Sequence, residues 1–171
     1  MSHPTERLLI DLCRQSGKCI VHNPRYPITG SCVDISIDAS TLPDAARLLS
    51  DAGYFLEDVT AVDVSEGIWL IYHFDRWEAS QRVTLRVFAS GEPPSAPSLS
   101  AIFKGADWHE RECFDFFGVR FDGHPNLKPL LLPDDIEAPP LLKTSGKRSV
   151  LGLIPIERWV EDSTRSRDAA S

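Results

Sequence analysis

Three consecutive strand-like segments are the feature that most constrains the fold. They read FLEDVTAVDVSE, IWLIYHFDR and RVTLRVFAS, and only short turns separate them within residues 55–90. In the third segment Val83, Leu85 and Val87 alternate with polar residues. Such alternation is typical of a strand with one buried face. Connections this short favour antiparallel pairing of neighbouring strands. The sequence therefore predicts a mostly antiparallel sheet.

Two helical patterns and a further strand precede these segments. Residues 3–17 and residues 40–53 carry apolar side chains at helical spacing, and each pattern ends in a glycine suited to a helix end. Between them, SCVDISID at residues 31–38 alternates as a half-buried strand. The order helix, strand, helix and three strands predicts an α+β domain with its helices on one face of the sheet.

The last part of the chain is predicted to hold a helix and then an irregular extension. GEPPSAPS at residues 91–98 is predicted to be a loop because of its prolines. Residues 99–118 are predicted to be helical and to end at Gly118, either as one helix or with a break near Gly105. We assign residues 1–122 to the α+β domain and residues 123–171 to a proline-rich extension. The extension is too apolar for a solvated tail, so it either wraps its own domain or lies along a partner subunit, and we expect the second.

Charge and cysteine spacing exclude several classes of protein. The net charge of -7 argues against nucleic-acid binding, which needs clustered lysine and arginine. The four cysteines show no C-x-x-C spacing, so we expect them to be reduced and structural in a cytoplasmic protein. No apolar run approaches the ~20 residues that cross a bilayer. Any membrane association is therefore expected to come through partners.

The segment DWHERECFDFFGVRFDGHPNLKPLLLPDD, at residues 107–135, allows two kinds of chemistry. On a helix, His109 and Cys113 lie four residues apart on one face, and His124 could supply a third metal ligand. Glu110, Glu112 and Asp115 are candidates for acid–base groups. Either arrangement would make the chain an independent small enzyme, metal-dependent in the first case.

The same segment also fits a structural role, which we favour. Arg111 and Asp115, at a spacing of four, could form an ion pair on the helix surface. Phe114, Phe116 and Phe117 cannot all face one core, and arginine and aromatic side chains dominate the energetics of protein interfaces. Together these features favour a partner interface over a catalytic helix.

The segment resembles the signature of the C subunit of the respiratory NADH:quinone oxidoreductase, complex I. That signature runs aromatic-x-E-R-E, then an aspartate, a glycine, F-x-G-H-P and a leucine-rich stretch closed by proline. This sequence meets it at Trp108, Glu110, Arg111, Glu112, Asp115, Gly118, Phe121, Gly123, His124, Pro125, Leu127, Leu131 and Pro133.

The resemblance implies a cofactor-free assembly subunit. Members of this family dock on a large subunit related to the [NiFe]-hydrogenase large subunit, peripherally on the cytoplasmic face of the membrane. Iron–sulfur clusters, and in some branches a NiFe centre, belong to partner subunits, and the complex supports electron transfer to quinone coupled to ion translocation. The residues expected at the partner interface are Glu110, Arg111, Glu112, Asp115, Phe116, Phe121, His124, Pro125, Leu131 and Pro133.

The chain departs from the quinone-linked pattern just after the signature. Those members continue into W-x-G-H-P-L-R-K-D, whereas this sequence reads IEAPPLLKT, with Leu142 in place of the arginine. The same module occurs in group 4 membrane-bound [NiFe]-hydrogenases, formate hydrogenlyase-type assemblies and deazaflavin-dependent dehydrogenases. These branches remain alternatives to complex I.

Overall fold

The structure is a computed structural model, and it describes residues 4–15, 19–22, 30–78, 81–133, 136 and 138–143. Within these residues the elements in chain order are α1 (Pro4–Gln15), β1 (Cys19–His22), β2 (Val33–Ile37), a 3-10 turn (Ala39–Thr41), α2 (Leu42–Asp51), β3 (Phe55–Val64), β4 (Gly67–Asp75), β5 (Val83–Ala89), β6 (Ser95–Pro97), α3 (Ala106–Phe117) and β7 (Arg120–Asp122).

A five-stranded sheet forms the centre of the domain, with strand order β1-β2-β5-β4-β3. The pairs β3–β4 and β4–β5 are antiparallel, as the short turns predict. β1 and β2 are also antiparallel, and β2 pairs with β5 in parallel. The α+β class and the mostly antiparallel sheet are thus confirmed. None of the described helices is both long and apolar enough to cross a bilayer.

One face of the sheet carries the core. The strand alternation places a row of apolar side chains on this face, where they are buried with side chains from all three helices. Tyr72 and Phe74 of β4 are fully buried there, as are Leu9 of α1 and Leu49 of α2. Burying a large apolar side chain contributes about 1.5–3 kcal/mol, so this face supplies most of the stability of the fold.

Strands β1, β6 and β7 were not predicted from the sequence. β1 has only four residues, too few to establish an alternation. β6 lies inside GEPPSAPS, so the prediction of an unbroken loop was wrong: the strand pairs in parallel with β7, and its central residue is buried. Of the two predictions for residues 99–118, the one with a break near Gly105 is correct. The helix begins at Ala106, because residues 99–103 form turns in which Ile102 and Phe103 donate to the carbonyl of Leu99.

Candidate docking surface

Helix α3 has three faces, which differ in what they contact: the core, the loop that follows the helix, and solvent. Ala106, Glu110 and Cys113 face the core and are buried. Asp107, Arg111 and Asp115, spaced by four, form a second face that holds the following loop. Trp108, Glu112 and Phe116 form the third face, which is exposed or partly exposed. The helix ends at Gly118, whose φ of 70° is the left-handed conformation that favours glycine.

The segment from Gly123 to Pro133, which we call the signature loop, runs along α3 and is hydrogen-bonded to it. Near the start of the helix the Nε2 of His124 lies 3.2 Å from the carbonyl oxygen of Asp107. One turn on, Arg111 donates from Nε and Nη2 to the carbonyls of Lys128 and Pro129, at 3.1 and 3.0 Å.

Asp115 completes the attachment of the loop one turn further along. Its Oδ2 accepts the backbone N–H groups of Leu130, Leu131 and Leu132, at 2.7, 2.8 and 3.3 Å. Hydrogen bonds from N–H groups to an ionised carboxylate are stronger than those between neutral groups. A loop without helix or strand is therefore fixed in one path by side chains four residues apart on α3.

His124 has a defined tautomer. The backbone N–H of Asn126 donates to its Nδ1 at 3.0 Å, so in the neutral ring the proton lies on Nε2 and points to the carbonyl of Asp107. The His124 side chain is fully buried, and its Nε2 is 3.6 Å from Oδ1 of Asp107 and 3.9 Å from Oε2 of Glu110. The histidine therefore joins the signature loop to the start of α3.

Glu110 is a fully buried carboxyl group in this region. Its Oε1 accepts the N–H of Leu99 and its Oε2 the hydroxyl of Ser98, both at 2.6 Å, so it fixes the turns before α3. Burial raises its pKa from 4.5 to about 7, and these two hydrogen bonds lower it by less. The hydroxyl of Tyr72 is also buried, and it has no hydrogen-bond partner among the described residues.

The residues predicted for the interface fall into three groups in the structure. Glu110, Asp115 and Phe121 are buried inside this chain, and Arg111, Phe116 and His124 are intermediate, the exposed part of His124 being its backbone. Glu112, Pro125, Leu131 and Pro133 are exposed, and Leu131 keeps 64% of its surface. The buried group shapes the loop and the exposed group is accessible to another molecule. Contact of any of the three groups with a partner stays a prediction.

Two further exposed apolar side chains lie close to this surface. Trp108 is 65% exposed and Leu141 is 43% exposed. Trp108 was part of the signature but not of the predicted interface, although a tryptophan between charged residues at a helix start was a usable signal. The backbone N–H of Leu141 donates to the carbonyl of Phe116, which fixes Leu141 beside the end of α3. Nothing in the sequence indicated that contact.

The ion pair considered between Arg111 and Asp115 is not formed. The guanidinium donates to backbone carbonyls and the carboxylate accepts backbone N–H groups, and none of the ion pairs among the described residues includes either side chain. Asp115 is thus a buried carboxylate without a cationic partner in the described part of the chain.

Of the side chains considered for metal binding, His109 and Cys113 line the same groove between α3 and β3, and His124 lies elsewhere. Burial raises the pKa of Cys113 to about 12, and its Sγ–H points to the carbonyl of Val59 at 3.7 Å. A thiol held protonated is a poor ligand, because metals bind the thiolate. His109 lines a groove of about 430 Å³ between α3 and β3, whereas His124 faces Asp107. The described residues contain no group of three side chains placed to hold a metal ion.

A smaller cavity, of about 240 Å³, lies between the end of α3, the last part of the signature loop and the residues that follow it. Asp115 lines it together with apolar residues and prolines, namely Phe114, Gly118, Pro129, Leu132, Pro133, Ile136, Ala138 and Pro139.

The fold and this surface together define an α+β domain whose last helix holds a proline-rich loop by side-chain-to-backbone hydrogen bonds. The chain belongs to the family described as "Respiratory-chain NADH dehydrogenase, 30 Kd subunit", whose model matches residues 35–149.

Curated relatives carry names consistent with that family. The chain is 36% identical over 118 residues to the C subunit of NADH-quinone oxidoreductase from Roseiflexus castenholzii, covering 65% of this chain and 68% of the relative. It is 36% identical over 138 residues to the J subunit of NAD(P)H-quinone oxidoreductase from Synechococcus sp. strain CC9605, covering 71% and 73%. The alignment with the C subunit from Chloroherpeton thalassium, 38% identical, spans only 38% of that protein.

Solved structures share the fold. A chain from the membrane-bound sulfane sulfur reductase, described as an archaeal respiratory membrane complex, superimposes with a TM-score of 0.67 at 21% identity, covering 83% of this chain and 85% of that one. A trypsin-resistant fragment of Nqo5 gives a TM-score of 0.57 at 24% identity, covering 71% and 98%.

Proposed function

We propose that this chain is an assembly subunit of a complex I-like, membrane-associated oxidoreductase. It docks on the hydrogenase-like large subunit of that complex and holds it in place beside the iron–sulfur subunits. Two kinds of support underlie the proposal: membership of the 30 Kd subunit family, and relatives named as subunits of quinone oxidoreductases. A fold shared with a chain of an archaeal respiratory membrane complex is compatible with it.

The observation that carries the proposal is the fixed signature loop. Hydrogen bonds from Arg111 and Asp115 hold its backbone, yet Leu131 within it remains 64% exposed. Ordering a loop costs conformational entropy of roughly 1–2 kcal/mol per residue. A loop that is already ordered does not incur that cost again on binding. An ordered loop with an exposed apolar side chain is therefore suited to bind a partner.

The exposed side chains on and beside this loop are of the kinds that anchor interfaces. Trp108 on α3, Leu131 on the loop and Leu141 after it are large apolar groups that a partner could bury. Tryptophan is among the residue types most enriched at interface hot spots. In the proposed arrangement the electron-carrying cofactors belong to partner subunits, and the chain reaches the cytoplasmic face of the membrane through them.

Recovery of the assembled complex tests the proposal. The chain, carrying an affinity tag, is purified from its native membranes, and its companions are identified by mass spectrometry and metal analysis. We expect a hydrogenase-like large subunit, iron–sulfur subunits and membrane proteins in fixed ratio. Recovery of the chain alone, with its own bound metal, would show that it is an independent enzyme.

Metal analysis of the same sample separates the branches. Nickel in the recovered complex would assign the chain to a hydrogenase-type assembly, whereas iron without nickel favours a quinone-linked complex. The replacement of the usual arginine by Leu142 makes this measurement necessary, because the sequence after the signature follows the quinone-linked pattern only in part.

A further inference from the structure

The cavity beside Asp115 combines a buried charge with an apolar lining. Asp115 keeps only 7% of its surface, and it lines the cavity of about 240 Å³ with Phe114, Pro129 and Pro139. Its side chain forms three hydrogen bonds with described residues, and all three are accepted by Oδ2. Within the described part of the chain, Oδ1 therefore remains available to a donor that enters the cavity.

The charge of Asp115 is not balanced by a cation in the described residues. Arg111, one turn earlier, uses its Nε and Nη2 on the carbonyls of Lys128 and Pro129. Buried charges in proteins are as a rule paired, because an isolated ion loses its hydration without compensation. Three N–H groups offset part of that loss, and a cation from outside would offset the rest.

The segment that supplies part of the lining is acidic in sequence. The lining residues Pro133, Ile136 and Ala138 fall in the stretch PDDIEA, so three carboxylates are interleaved with them along the chain. A cationic group would be attracted to such a segment, and an anionic one repelled.

The size of the cavity limits what it can hold. Small-molecule sites in proteins measure ~300–1,000 Å³, and this cavity falls below that range. A single side chain is a better match than a cofactor. The guanidinium of arginine suits the lining because it is planar, stacks on aromatic faces and is more weakly hydrated than an ammonium.

We propose that the cavity beside Asp115 receives an arginine side chain of the partner subunit, with the guanidinium donating to Oδ1 of Asp115. This proposal rests on the proposed docking function and specifies one contact of it. It adds to the role of Asp115 in holding the signature loop: one carboxylate oxygen orders the loop and the other binds the partner.

A model cation tests the site on the full chain alone. The chain is labelled with ¹⁵N and titrated with ethylguanidinium, ethylammonium and the neutral analogue ethylurea, while the amide signals of Leu130, Leu131 and Leu132 are followed by NMR. We expect saturable shifts with ethylguanidinium, at least threefold weaker binding of ethylammonium, and no saturation with ethylurea. Equal binding of ethylurea, or shifts spread over all surface carboxylates, would overturn the proposal.

Two variants test whether ethylguanidinium binding depends on the charge of Asp115 and on the free volume of the cavity. A control variant tests for nonspecific pairing with a surface carboxylate. Asp115→Asn removes the charge but keeps an acceptor for the loop, and Ala138→Phe fills the cavity while Asp115 stays. Both should lower ethylguanidinium affinity at least tenfold, whereas Asp122→Asn, on the exposed side of β7, should not change it. If Asp115→Asn disorders the loop, Ala138→Phe decides the outcome, and unchanged binding in that variant rejects the site.

Assembly of the complex distinguishes failure of this proposal from failure of the docking function. Ala138→Phe should reduce the amount of chain recovered with the large subunit. Normal recovery of that variant would reject the arginine contact and leave the docking function standing. Absence of the large subunit with the unaltered chain would instead reject the docking function itself.

Discussion

Glu110 is the residue whose chemistry most departs from what its place in the sequence suggests. It stands between charged neighbours in an HERE run, which indicates a solvated helix surface, yet it is fully buried. Its surroundings include Asp107, whose charge raises its pKa further, as well as His124 and the hydroxyl of Tyr72. We therefore expect a measurable dependence of stability on its protonation.

The contribution of Glu110 to the free energy of unfolding should fall as the pH rises from about 4.5 to about 7. In that interval the folded chain keeps a proton on Glu110 that the unfolded chain has released, so rising pH favours unfolding. A change in pKa from 4.5 to about 7 corresponds to about 3 kcal/mol. Glu110→Gln, which mimics the protonated group, should match the unaltered chain near pH 5 and exceed its stability near pH 8. Urea unfolding at both values measures this.

The control for this prediction is on the same helix. Glu112 is exposed, so Glu112→Gln should leave the difference between pH 5 and pH 8 as it is in the unaltered chain. A Glu110→Gln chain with the same pH dependence as the unaltered chain would show that Glu110 stays ionised throughout.

Two glycines after α3 form a second matched pair. Gly118 and Gly123 have φ angles of 70° and 85°, so alanine is strained at both by ~1–2 kcal/mol. A Cβ at Gly118 would lie 2.9 Å from Cγ of Pro139, whereas a Cβ at Gly123 would meet nothing within 4 Å. Gly118→Ala should therefore lower the free energy of unfolding by about 1 kcal/mol more than Gly123→Ala. Equal losses in urea unfolding would mean that the contact with Pro139 relaxes freely.

At the scale of elements, the signature loop depends on side chains of α3 rather than on a strand or helix of its own. Arg111 supplies two of its hydrogen bonds, and bonds to a charged group contribute about 1.5–3 kcal/mol each when they are buried. These bonds are partly exposed, so we expect the lower part of that range or less. The loop should open locally without unfolding the domain.

Hydrogen exchange should detect that opening. In Arg111→Ala the amides of Leu130, Leu131 and Leu132 should exchange about tenfold faster, while those of β4 and β5 keep their protection. Arg120→Ala, on the exposed side of β7, is the control and should leave the loop amides unchanged. Loop protection that survives Arg111→Ala would show that Asp115 alone holds the loop.

The elements that could be predicted from the sequence are those in which apolar residues recur with a clear period. Strands β3, β4 and β5 and helix α2 follow from alternation and helical spacing, and Gly118 marks the end of α3. Strands β1, β6 and β7 have only three or four residues, so they show no period and form through pairing with distant strands. The path of the signature loop could not be predicted from the sequence either, because it depends on which side chains of α3 face the loop.

At the scale of the whole molecule, the exposed tryptophans offer a test of where the partner binds. Trp108 and Trp77 are 65% and 85% exposed, but only Trp108 lies on α3 beside the signature loop. Loss of a tryptophan from an interface hot spot costs about 2 kcal/mol or more, which is roughly a thirtyfold loss of affinity. Trp108→Ala should reduce recovery of the large subunit with the chain, and Trp77→Ala should not.

The stability of the free chain is the accompanying measurement. Both tryptophans are mostly exposed, so neither substitution should unfold the domain, although Trp77→Ala loses a stacking contact with Phe55. If the two variants assemble equally well, the partner binds a surface other than the one around α3.

The parallel pair β2–β5 has a consequence for the order in which the domain forms. Val33 pairs with Val83, and the hairpin of β3 and β4 lies between them in the chain. Contacts between residues far apart in sequence form late, because closing a long loop costs entropy before any contact compensates for it. During synthesis β1 and β2 can join the sheet only after β5 has left the ribosome. The amides of the amino-terminal part of the chain should therefore be the last to become protected from hydrogen exchange. This part is also the one that a chaperone would bind during synthesis.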